Sequence, residues 1–254
     1  MGEGHLTFSP IRQTPEVLDL WLRSVEGDVW CYDDNVDPES SALLRDANVE
    51  ILPAIELPEG GYSRDGRTHE WPMGSISRVA AIKNYAIDLF LKESQLWLFL
   101  LDSDVICQPG TINHLTGSEP VISLVYWSQW SPGDPWLPNV WDQGHYGFTQ
   151  TPARFREPGH YRVGGLGAAT LIRRDVLEQV KFEPIPNWPM WGEDRWFCLR
   201  CGVLDIDLWA CTHVTPFHVY RDEQLPEAVG WDSTKAQAWI DRHLDDRWAR
   251  SVGA

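Results

Sequence analysis

Near its N-terminus the chain twice follows a short apolar run with a cap residue, a proline and a glutamate. HLTFSP (5–10) leads into Thr14-Pro15-Glu16, and DVWCYDD (28–34) leads into Asp37-Pro38-Glu39. Thr or Asp suits the N-cap, and Pro suits the first helical position, where no intrahelical N–H is needed. Each pair therefore reads as a strand feeding a helix, the first helix carrying Val17, Leu18, Trp21, Leu22 and Val25 on one face. A third short strand, VEILPAI, is followed by a loop rich in Gly and charge to about Trp71. A helix from Ser75 then sets Ile76, Val79, Ala80, Ile87, Phe90 and Leu91 on one stripe and delivers the chain to LWLFLL (96–101). Strands that alternate with helices in this way form a mostly parallel central sheet flanked by helices, an α/β fold of Rossmann-like type. Such sheets bind ligands beyond the carboxyl ends of their strands.

The second half is less regular. Residues 127–160 hold Trp127, Trp130, Trp136 and Trp141 among Pro and Gly, which predicts a long ordered loop or small insertion. Beyond it lie a strand (GAATLIRR), a short helix from Asp175, a helix from about Glu193 that Gly202 would end, and a last amphipathic helix. That helix carries Ala236, Trp239, Ile240, His243, Leu244 and Trp248. With no internal repeat and no linker, residues 1–254 are expected to form a single domain, with halves of about 1–115 and 116–254. A formal net charge of −16 works against coating nucleic acid or an anionic membrane. No run is long and apolar enough for a membrane span, and the opening lacks a signal peptide's regions, so a cytoplasmic protein is expected. Five cysteines, an odd number, suit a reducing compartment.

The apolar run LWLFLL ends in Asp102 and Asp104, separated by Ser103. In an extended chain these two carboxylates would point to one side and repel. A divalent cation between them and a bound polyphosphate would offset that charge, and hard oxygen ligands suit Mg2+ or Mn2+, with an added imidazole favouring Mn2+. Taken alone, D-x-D is more often a pair of solvated turn acids after a strand, a pattern that arises readily by chance.

Four ordered segments carry a resemblance. FLLDSDV preceded by ISRVAAIKNYAI, then VGGLGAATLIRRDVLE, then WGEDRWFCLRCG, then THVTPFHV, together resemble the nucleotide-sugar glycosyltransferases of the GT-A fold. NWPMWGEDRW is similar to the W-G-x-G-x-E-D segment of β-1,4-galactosyltransferases, although the second glycine of that segment is missing before Glu193. Small bacterial and phage transferases are closest in length. The resemblance implies a GT-A domain that moves a sugar from a nucleoside diphosphate sugar, such as a UDP-sugar, to a hydroxyl acceptor with Mn2+ or Mg2+ as cofactor. It assigns Asp102 to the ribose or metal, Asp104 to the metal, and His218 as the third ligand, with His213 in reserve. The nucleotide would lie over the first strands against Pro10, Arg12, Asp33 and Asp34, with Arg78 and Lys83 reaching base or phosphate from the helix. Asp194 would be the base of an inverting transfer, and Glu193 a ligand of acceptor or donor sugar. Gly165 would allow close backbone approach to donor sugar and acceptor.

Other patterns compete with these assignments. Cys198, Cys201, Cys211 and His213 have zinc-like spacing, but two of the cysteines fall inside a predicted helix, where Cys usually packs as a small hydrophobe. Of fifteen tryptophans, those at 21, 239 and 248 read as core, while Trp136, Trp141, Trp188 and Trp191 sit where a ring could stack on an acceptor. Arg64, Arg67, Arg154, Arg156, Arg162, Arg173 and Arg174 form a possible basic rim for an acceptor such as hydroxymethylated phage DNA. A nucleotidyltransferase would use a similar sheet but should carry a Gly-rich, basic signature near strand one, and SPIRQTPE is neither. A non-catalytic sugar-binding module would retain the tryptophans but leave Asp104, His218, Glu193 and Asp194 without a role.

Overall fold

The computed structural model describes residues 4–60, 63–64, 69–70, 73–117, 119–141, 152–186 and 192–244. Its eight-stranded central sheet comprises β1 (His5–Ile11), β2 (Asp28–Asp33), β3 (Glu50–Ile51), β4 (Trp97–Leu100), β5 (Val121–Leu124), β6 (His160–Val163), β7 (Thr170–Arg173) and β8 (Leu208–Cys211). In space they follow the order β6-β8-β5-β7-β4-β1-β2-β3. β3, β2, β1 and β4 are mutually parallel, β7 runs against both β4 and β5, β8 is parallel to β5, and β6 closes the edge against β8. The sheet is thus mostly parallel, with β7 and β6 reversed.

The helices flanking it are α1 (Pro15–Ser24), α2 (Pro38–Asp46), α3 (Met73–Phe90), α4 (Arg174–Leu177), α5 (Glu193–Val203), α6 (Leu225–Ala228) and α7 (Ser233–His243). Both early helices begin with proline at the predicted place, and Asp37 caps α2 by accepting from the Glu39 N–H. One apolar cluster runs from Leu6 in β1 to Leu244 after α7, with Trp21, Phe90, Leu98, Ile122, Leu171, Trp196 and Trp239 within it. No helix among the described residues is long and apolar enough to cross a membrane.

Several expectations change in detail. β1 runs one residue beyond the expected HLTFSP, to Ile11; within it Pro10 pairs with Tyr32 of β2, whereas pairing with β4 ends at Phe8. A residue lacking an N–H fits there because its other edge no longer faces a strand. VEILPAI forms a strand only at Glu50–Ile51. Three strands, β5, β6 and β8, replace parts of the sequence that carried no strand assignment. The insertion contains a small antiparallel ribbon of Trp127–Ser128 and Leu137–Pro138. Arg174 turns inward, its guanidinium donating to the carbonyls of Phe90, Leu91, Glu93 and Gln95.

Candidate active site

The forward-running strands end on one side of the sheet, and the reversed strand β7 begins there, so the segments after β1, β2, β4, β5 and β8 meet the Gly165–Ala169 approach to β7. Asp102 and Asp104 follow β4 there, but not in extended chain. Val105 N–H donates to Asp102 O (3.1 Å), closing a turn. The two carboxylates are consequently separated by turn geometry rather than crowded on a strand face: Asp102 looks toward Lys83 and Asp104 toward His218.

His218 reaches Asp104 through a two-residue strand, Phe217–His218, antiparallel to Val105–Ile106. Val219 N–H donates to Asp104 O at 2.8 Å, which ties the two segments backbone to backbone. The His218 Nε2 lies 3.5 Å from Asp104 Oδ2, and its Nδ1 shares a 2.8 Å hydrogen bond with Ser128 Oγ. Tyr126 packs against the imidazole with ring centroids 4.8 Å apart. Burial and the carboxylates of Asp102, Asp104 and Asp194 hold the Tyr126 hydroxyl well above its ordinary pKa. His213 lies instead with His114 and His160, at ring separations of 6.2 and 5.4 Å.

Glu193 and Asp194 open α5 behind Gly192, whose φ of +99° and ψ of 153° suit a residue without a Cβ. Both face Lys83 on α3. Its Nζ is 2.5 Å from Glu193 Oε1, 3.0 Å from Asp194 Oδ1 and 3.8 Å from Asp102 Oδ1. Burial pushes the Asp194 carboxyl up to about 6, Lys83 opposing the shift and Glu193 adding to it. Desolvation by the surrounding protein likewise raises Asp102 to about 8, against Lys83 and with the help of Asp194, Asp104 and Glu193. For Lys83, burial disfavours the charge, but Asp194, Glu193 and Asp102 outweigh it and hold the ammonium well above its ordinary range. Sequence reasoning set Lys83 at the nucleotide; its side chain is only 1% exposed and is surrounded by these carboxylates.

At the ends of β1 and β2, Asp34 is gripped by two guanidinium groups. Arg78 Nη2 lies 2.5 Å from Oδ1 and Arg12 Nη1 3.2 Å from Oδ2. Neighbouring Asp33 accepts from Asn35 Nδ2 and Ser41 Oγ. Gly165 has no room for a side chain because the Trp141 indole fills the space, a built Cβ falling 1.9 Å from ring carbons. Arg195 covers the Trp141 ring at 5.2 Å, while Trp136 packs edge-on against Trp239 at 4.7 Å. Trp188, Trp191 and Trp248 lie outside the described residues. All five cysteines are buried thiols, with Cys198 and Cys201 on α5. Of the basic rim, Arg162 pairs with Asp207, Arg173 pairs with Asp175, and Arg174 caps α3. The Arg64 and Arg67 side chains are not among those described.

Among the described residues no three His, Cys, Asp or Glu side chains converge in a complete metal centre. Asp104 and His218 nevertheless form a carboxylate–imidazole pair, with the imidazole oriented from behind by Ser128. A surface groove of about 510 Å³ lies at the opposite end of the sheet, by Glu119, Arg173, Asp207 and Trp209, away from this cluster.

No family model matches the chain, and no curated protein matches it. Solved structures do. A197 from STIV is 18% identical, with a TM-score of 0.46 and 84% of each chain covered. GalNAc-T7, solved with UDP, GalNAc and Mn2+, is 12% identical at a TM-score of 0.53, covering 94% of this chain and 50% of that one. The chain spans half the length of the GalNAc-T7 chain it matches. At these identities the likeness is one of fold: an α/β, GT-A-like architecture built on a large, mostly parallel sheet.

Proposed function

We propose that this chain is a divalent-cation-dependent glycosyltransferase that moves a sugar from a nucleoside diphosphate sugar to a hydroxyl acceptor with inversion. The observation that carries the reading is the meeting of the D-x-D turn, His218 and the Glu193–Asp194 pair at the carboxyl end of a GT-A-like sheet. The GalNAc-T7 structure holds UDP and Mn2+, which makes UDP with Mn2+ the first ligand pair to test. The whole chain acts as one domain, its first half binding the donor and its second half the acceptor.

Asp104 and His218 would hold the cation, with Asp102 beside them. This donor set fits: carboxylate oxygen and imidazole suit Mn2+, and Mg2+-type sites use only one or two carboxylates, with substrate phosphates and water completing the shell. Ser128 engages Nδ1, so Nε2 is the nitrogen turned toward Asp104, the arrangement in which an outer partner orients a metal-bound histidine. When bound, the cation supplies electrostatic stabilisation of the leaving diphosphate. Arg12, Arg78, Asp33 and Asp34 line the ends of β1 and β2, where base and ribose would meet both donors and acceptors.

Asp194 takes the proton from the acceptor hydroxyl as that oxygen attacks the anomeric carbon. Its position at the start of α5 favours the ionised carboxylate, and burial brings its pKa close to neutrality, where a general base works best. Glu193 and the Trp141–Gly165 contact would border the acceptor and donor sugar, and Trp136 extends that wall in this reading.

Two measurements test it. UDP with Mn2+ should stabilise the wild-type chain by about 2.7 kcal/mol at a ligand concentration of roughly 100 Kd, and Asp104→Asn or His218→Ala should remove that gain. Stabilisation that persists in both variants and in chelator would refute the cation site. Asp194→Asn should lower kcat by on the order of 10² to 10⁴ while donor affinity stays within about threefold. Near-normal turnover would remove Asp194 as base, and retention of donor configuration would exclude inversion.

A further inference from the structure

The apolar stripe of α3 contains one charged residue. Lys83 is flanked by Ala80, Ile82, Ala86 and Ile87, and it is as buried as they are. An ammonium is tolerated in such a place only when opposite charges and hydrogen-bond acceptors replace the lost water. Its ammonium donates to two carboxylates and has a third at 3.8 Å, none of them on α3. Glu193 and Asp194 come from the first turn of α5, and Asp102 from the turn after β4. The Phe182 ring lies 5.3 Å from the ammonium. Asp194 Oδ2 also lies beside Gly167, so its carboxylate sits between α3 and the approach to β7.

Nothing in the transfer chemistry requires a cation at this point, and the nucleotide contacts expected of Lys83 are incompatible with its burial. We propose that Lys83 is a positioning residue. Its ammonium joins the D-x-D turn to the opening of α5 and holds Asp194 in one orientation, without touching nucleotide or sugar. The catalytic consequence rests on the reading of Asp194 as base. The physical core of the inference, a buried cation that holds two acidic residues of α5 against α3, does not.

The test uses the full chain and three variants, Lys83→Arg, Lys83→Met and Lys83→Met/Glu193→Gln. Lys83→Met leaves the carboxylates uncompensated, so its thermal midpoint should fall well below that of wild type. Removing one of those carboxylates as well should recover a substantial part of the loss. A double variant as unstable as Lys83→Met, or less stable, overturns the proposal. Calorimetric titration with UDP and Mn2+ should give an affinity for Lys83→Arg within about threefold of wild type, because the positive charge facing Asp102 and the α5 carboxylates is kept. A loss of more than about tenfold would make Lys83 a nucleotide contact and overturn the proposal as well. With a donor and acceptor in hand, Lys83→Arg should lower kcat on the order of 10²-fold at nearly constant donor KM, the effect of a small misplacement of the base. Unchanged kcat would refute the positioning role. If wild type neither binds UDP nor transfers sugar, the glycosyltransferase reading fails, and the thermal midpoints still decide whether Lys83 holds the pair.

Discussion

Gly165 is required by a neighbour rather than by its own backbone angles. Trp141 occupies the volume a methyl group would need, and the Arg195 guanidinium lies over the same ring. Gly165→Ala should cost about 1–3 kcal/mol, the range for overpacking a filled site, measured by denaturant unfolding. An unchanged midpoint would mean that the indole moves aside freely. Asp194 gives a second residue-level expectation. Its carboxyl is raised to about 6 from the ordinary carboxylate range. A general base works only when ionised, so kcat/KM should rise with pH through about 6 and level off above it. A profile still flat well below that value would contradict Asp194 as base. The residues of this site were unequally legible. Asp102, Asp104, Glu193, Asp194 and His218 sit in short segments whose residue types and order can be read directly. Lys83 could not be read in this way, because its partners are 110 and 111 residues away for the α5 carboxylates. From sequence, a lysine in an apolar stripe looks like a side chain reaching for solvent or ligand.

Elements were legible where their ends carry chemistry. Thr14-Pro15 and Asp37-Pro38 fixed the starts of α1 and α2 because caps and prolines act locally. β5, β6 and β8 carry no such punctuation, and β7 reverses direction, so the strand–helix rhythm of the first half gives no guide to the second. The carboxylate pair was read as extended because strand periodicity was continued four residues past Leu100, through a turn, to Asp104. Arg174 shows the same limit from another side. Beside Arg173 it looked like part of a basic surface, yet it satisfies carbonyls at the end of α3, which has no basic residue in its own last turn. Phe90 O also accepts from the Glu93 N–H, so the guanidinium chiefly serves the carbonyls of Leu91, Glu93 and Gln95. Arg174→Ala should destabilise the chain by about 1.5–3 kcal/mol, as expected for charge-assisted hydrogen bonds. Arg174→Lys should recover less than half of that, since an ammonium cannot reproduce the planar fork that spans several carbonyls. Full recovery by lysine would show that charge alone matters.

At the scale of the whole molecule, charge bears on the acceptor. The chain carries 21 basic and 37 acidic residues, and four of the seven arginines that seemed to offer phosphate contacts are engaged within the protein. Arg162 faces Asp207, Arg173 is bound at both ends of its fork by Asp175, and Arg174 points into the fold. Arg154 spreads over the rings of Phe155 and Tyr161. Duplex binding draws its affinity from cations that displace counterions around phosphates, and these four are already neutralised or turned away. The expectation is that duplex DNA, hydroxymethylated or not, binds more weakly than about 10⁻⁴ M at physiological salt, with little salt dependence. Fluorescence anisotropy on labelled duplexes measures both quantities. In a mass-spectrometric panel of acceptors with a UDP-sugar and Mn2+, small hydroxyl compounds should then be glycosylated in preference to duplex DNA. Micromolar duplex binding that falls steeply with salt, accompanied by sugar transfer to hydroxymethylated pyrimidines, would reverse this assignment and show that the acidic chain presents a basic surface after all.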